Sequence, residues 1–77
     1  MNSEEIKAML VKVCSDLAYI EKSQALQETA ELPQASPELS LIAVTALDMA
    51  IKLRLKFSQA LEAHLEAELD NVFGEVL

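Results

Sequence analysis

The chain is poor in almost everything that chemistry at a site draws on. Its single glycine, Gly74, leaves no glycine-rich loop to cradle a phosphate. Its single cysteine, Cys14, excludes an intrachain disulfide. One cysteine and one histidine, His64, are too few for a zinc-type cage. There is no tryptophan, one tyrosine and two phenylalanines, so no platform exists on which bases could stack. Cations are scarce as well: six Lys and Arg against thirteen Asp and Glu give a net charge of −7. Phosphate-backbone binding draws on clustered cations to release counterions, and this balance opposes it. Long apolar runs are missing too. The best one, Leu41 to Leu47 with Thr45 inside it, is stopped by Asp48, Lys52 and Arg54. Glu4 and Glu5 stand where an export signal would carry basic residues. The expectation is a cytoplasmic protein that is not an enzyme. It is expected to have no metal, cofactor, small-molecule substrate, nucleic acid or membrane among its partners.

What is present is helix-forming. Apolar residues make up 52% of the chain, too many for a disordered acidic tail. Asn2-Ser3-Glu4-Glu5 reads as a helix start, with a side chain to accept from first-turn N–H groups and acids at the positive end of the dipole. Ile6, Met9, Leu10, Val13, Cys14, Leu17 and Ile20 follow within one arc of about 140°. Residues 23–32 still favour helix by propensity, either continuing the first helix or forming a separate short turn. Both prolines, Pro33 and Pro37, lie in the connection. Ser36-Pro37-Glu38 then opens a second helix, with no breaker before Gly74. The predicted architecture is a single all-α domain: a two-helix hairpin with helix one over about 3–31, a connection at 32–36 and helix two over about 37–73. It resembles plasmid copy-control hairpins that dimerise into four-helix bundles, and small helical chaperones of bacterial secretion. These are likenesses of architecture and transfer no functional residue.

Energetics favour a second copy. Ordering a chain of this length costs roughly 115 kcal/mol at ~1.5 kcal/mol per residue. Offsetting it needs about 4,600 Å² of apolar burial at ~25 cal/mol/Å². A compact globule of this mass buries only about that much, and an elongated hairpin buries less. Helix two carries two apolar stripes. Leu39, Ile42, Ala43, Ala46, Ala50, Leu53 and Phe57 form one, of which Leu39, Ala43, Ala46, Ala50 and Leu53 are expected to pack on helix one. Val44, Leu47, Ile51 and Leu55, about 120° away, are expected to form the interface of a homodimer, a four-helix bundle.

Other residue groups are weighed against plainer roles. His64 with Glu68 at i+4 offers two ligands on one face. The Glu-x-x-His pattern of di-metal bundles is absent, because Leu61 stands three before His64, so a surface or interface histidine is expected. Cys14 is expected to pack as a small hydrophobe. Lys52, Arg54 and Lys56 read as a solvated rim, with Asp48 placed to pair with Lys52. After Ser58 the chain carries acids and no Lys or Arg. Glu62, Glu66 and Asp70 form a row at i, i+4, i+8 beside Leu65, Leu69, Val72, Phe73 and Val76. Glu62, Leu65, Glu66, Leu69, Asp70 and Phe73 are the candidate surface for a protein partner. The competing expectation covers this apolar line within the dimer, against the extension of helix one near Leu26 and Leu32. The functional expectation is a small acidic interaction module: an adaptor, chaperone-like protein or inhibitor. The alternatives are a purely structural homodimeric bundle and an acidic mimic of nucleic acid of the phage-inhibitor type.

Overall fold

A computed structural model describes residues 1–76, excepting the side chains of Phe73, Glu75 and Val76. Every regular element among the described residues is helical, and there are three of them rather than two: α1 (Ser3–Glu21), α2 (Gln24–Ala30) and α3 (Pro37–Val76). The molecule is a rod, 64 × 16 × 15 Å. Its long axis is set by α3, whose 40 residues span about 60 Å at 1.5 Å per residue.

Local sequence explains each boundary. The Asn2 side chain accepts from the Glu5 amide at 2.9 Å, and Glu4 and Glu5 occupy the first turn of α1. The helix one expected over 3–31 is broken after Glu21. Ser23 turns outward to an extended conformation, and its hydroxyl accepts from the Leu26 amide at 3.3 Å. A serine that caps a new first turn competes with continuation of the old helix, so α2 starts afresh. Connection 31–36 then leads to α3, whose first turn is closed by the Ser40 amide donating to the Ser36 carbonyl at 3.0 Å. The expected stop at Gly74 does not occur, and α3 continues through it to Val76. A single glycine lowers helix propensity by about 1 kcal/mol and does not by itself end a helix.

Both α1 and α2 pack along α3. The seam follows positions of α3 spaced alternately by three and four, from Ser40 and Ala43 through Ala50 and Phe57 to Leu61 and Glu68, all of them buried or half-buried. This overturns part of the expected packing. Ala43 and Ala50 do face the shorter helices, at 2% and 3% exposure, and Ala46 is half-buried, but Leu39 and Leu53 do not face them, at 56% and 39%. The seam runs between the two apolar stripes instead of along one. Small side chains explain the choice: Ser40, Ala43 and Ala50 let backbone approach backbone, and the Ser40 hydroxyl donates to the Ala30 carbonyl at 2.8 Å. A seam of large stripe residues would hold α2 too far out for that bond.

Candidate interaction surfaces

With the seam placed between the stripes, each stripe is left bordering it in solvent. On one flank lie Leu39, Ile42, Met49 and Leu53, with Met49 53% exposed. On the other lie Val44, Ile51 and Leu55 of the expected dimer interface, exposed by 48%, 41% and 50%. The fourth member of that set, Leu47, is half-buried within the chain's own seam. The first flank has relief. Leu41, Ile42, Thr45, Ala46 and Met49 line one shallow depression, and the next, lined by Met49, Lys52, Leu53, Leu55 and Lys56, reaches across to Leu55 of the second flank. The second flank carries a charge in its middle. Asp48 falls between Val44 and Ile51 and pairs with Lys52 at 2.8 Å. That bond, with the attraction of the carboxylate, holds the Lys52 pKa above its ordinary value.

The basic cluster expected as a solvated rim divides. Lys52 and Lys56 are exposed, but Arg54 turns into the seam. Its Nε donates to one Glu21 carboxylate oxygen and its Nη2 to the other at 3.1 Å. The two-pronged bond to Glu21 and its charge raise the Arg54 pKa further. Glu21 closes α1 where the chain turns away to α2, so this pair fastens the joint between the two short helices to the middle of α3. Sequence reading missed it. The three-four spacing of the seam contains position 54 and was the signal that could have found it.

The far end has a second polar tie. The His64 Nε2 proton is shared between the Ser3 carbonyl and the Ser3 hydroxyl, each at 3.0 Å, while that hydroxyl donates to Glu68. Glu68 also lies 3.4 Å from His64 Nε2. His64 is therefore an interface histidine between the start of α1 and the latter half of α3. Among the described residues no group of three His, Cys, Asp or Glu is placed to hold a metal ion. Cys14 is half-buried, its Sγ 3.7 Å from the Ser58 hydroxyl across the seam.

Beyond this tie the candidate partner surface is open. Glu62, Glu66 and Asp70 are all exposed, Leu69 is 55% and Val72 57% exposed, and Leu65 is half-buried. Phe73 lies outside the described side chains. Leu26 and Leu32 do not cover this surface within the chain. They belong to α2 and the connection, at the Ser40 end of α3, whereas the start of α1 reaches Glu68. No helix among the described residues is long and apolar enough to cross a membrane. Comparison with protein-family models, with curated proteins and with solved structures finds no match to this chain.

Proposed function

We propose that the chain is a homodimeric helical module that acts by binding another protein. One observation carries the reading: the first half of α3 keeps most of its large apolar side chains on the outside. The chain exposes 6015 Å². A compact monomer of its mass exposes about 4,650 Å². The excess, roughly 1,400 Å², is on the scale of what one chain contributes to an obligate dimer. A solvated helix rarely keeps a continuous row of large apolar residues uncovered.

The acidic latter half of α3 is the proposed recognition surface for the protein partner. Glu62, Glu66 and Asp70 supply long-range attraction to a basic target, and Leu69 and Val72 supply apolar contact beside them. Light scattering at micromolar concentration tests the dimer, and a folded monomer would refute it. Removing residues from Asp70 onward tests the recognition surface. The shortened chain keeps the ties at Ser40, Arg54 and His64 that fasten α1 and α2 to α3, so it is expected to stay folded and dimeric while losing its partner. Unfolding of that variant would make the segment core and refute the surface.

The spacing of the acids also supports a second reading, an inhibitor that imitates a phosphate backbone. The three carboxylates stand about 6 Å apart along one face, in a stretch with no Lys or Arg after Ser58. Competition with DNA for a basic nucleic-acid-binding protein separates this from adaptor binding.

A further inference from the structure

We infer that the flank of α3 bearing Ile42, Met49 and Leu53 is where a second copy of this chain docks, with the two α3 helices antiparallel and crossing near residue 47. The inference rests on the dimeric reading above and adds the face, the direction and the register.

The choice of face follows from charge. Along the flank of Val44, Ile51 and Leu55, Asp48 occupies the central turn, and covering it would strip water from a carboxylate at the middle of the contact, whereas Lys52, at the edge of the second depression, can lend its alkyl stem and keep its ammonium in water. The row Leu39, Ile42, Ala46, Met49, Leu53 has no charge until Lys56. It also has the relief that helix pairing needs. The set Ile42, Thr45, Ala46 and Met49 and the set Met49, Lys52, Leu53 and Lys56 each surround one of the two depressions. Four residues at i, i+3, i+4 and i+7 form the hole into which one side chain of a facing helix inserts.

The register follows from the holes. Their centres are seven residues apart, as are Ile42 and Met49. An antiparallel copy that seats the partner's Met49 in the first hole therefore seats the partner's Ile42 in the second. The same register brings Glu38 level with the partner's Lys56, at both ends of the pairing by symmetry. Glu38 and Lys56 are eighteen residues apart, five full turns, so they project from the same side of α3. Both are exposed, and among the described residues neither is in an ion pair. A parallel pairing would set Glu38 against the partner's Glu38 and Lys56 against the partner's Lys56. In the antiparallel pair the middle of the assembly holds four helices: α2 and the first half of α3 from each copy.

The test uses the full chain and sedimentation equilibrium over a dilution series. Met49→Glu is expected to weaken dimerisation at least 100-fold, and Ile51→Glu on the other flank no more than about 3-fold. If Met49→Glu unfolds the chain, two surface variants decide. Glu38→Lys and Lys56→Glu each create two like-charge contacts and are expected to weaken the dimer about 10-fold. The double variant and an equal mixture of the two singles are expected to restore it. Single variants as tight as the parent would overturn the antiparallel register. Dissociation by Ile51→Glu but not by Met49→Glu would overturn the face and leave the dimer standing. A parent chain that is monomeric throughout would instead remove the reading on which the inference rests.

Discussion

The two halves of α3 solve opposite problems with the same helix. From Pro37 to Phe57 it meets α2 and the end of α1 through side chains as small as Ser40, Ala43 and Ala50, and its large apolar residues other than Leu47 and Phe57 are exposed. From Ser58 onward it meets α1 through Leu61, His64 and Glu68, and its outer surface is acidic. The first half packs small side chains inside and exposes a mainly apolar outside, while the second packs larger and polar side chains inside and exposes a row of acids beside Leu69 and Val72. Burial within one chain is thus a poor guide to where apolar side chains are found. The seam takes what fits between two backbones, and the bulky residues are left for another surface.

Substitutions that enlarge alanines sharpen the contrast most. Ala50→Leu forces three heavy atoms into a seam position with 3% exposure and is expected to cost about 2–3 kcal/mol in urea unfolding. Ala60→Leu, at an exposed site of the second half, is expected to cost nothing measurable. Equal losses at the two sites would erase the distinction between the halves.

A smaller loss is expected at the border. Glu21→Ala leaves the Arg54 guanidinium in the seam without its carboxylate. The urea midpoint should fall by less than with Ala50→Leu. Amide exchange should quicken through Lys22–Ala30, because the tie holding the α1–α2 joint to α3 is gone. Uniform quickening along the whole chain would argue against a joint.

Ser3→Ala removes the hydroxyl that links His64 and Glu68 and is expected to cost below ~1 kcal/mol at this exposed site. The effect should appear mainly as faster exchange in the first two turns of α1, with the first half of α3 unaffected.

The smallest effect is a matter of pH. Asp48 raises the Lys52 pKa above 10.5 by accepting its hydrogen bond. A pKa raised by folding stabilises the folded chain below the unfolded value, and that contribution is lost as pH climbs through the folded one. The parent should therefore show a slight extra decline in stability above pH ~10.5 that Asp48→Asn lacks. Neutral solutions should show no pH dependence from this pair.

Much of this architecture is legible in the residues. Asn2 with Glu4 and Glu5, and Ser36 with Pro37, announce the starts of α1 and α3, because capping is local chemistry. The break at Ser23 is less legible. The residues after it have good helix propensity, and only the three-residue reach of its hydroxyl to the Leu26 amide decides the matter. The seam is illegible for a different reason. Assigning the largest apolar residues inward is sound for a closed core, but here Ser40 is 5% exposed while Ile42 is 63% exposed. Arg54 was hidden by its neighbours Lys52 and Lys56, which look alike in sequence and lie on other faces. The exposed row of Glu62, Glu66 and Asp70 needed only helical spacing to see. Met49 and Leu53 are exposed, and the contacts of one chain do not assign them a cover.

The unbroken length of α3 has a geometric consequence. A single helix of about 60 Å is a ruler, and the acidic row sits at a fixed mark on it. In the antiparallel dimer proposed above, crossing at residue 47, the two Glu66 positions would lie about 56 Å apart, at opposite ends of one stiff body. Such a dimer is bivalent with a set span. It can bridge two partner molecules, or grip one elongated target twice. The second grip then comes at a high effective concentration only for targets whose sites match that span.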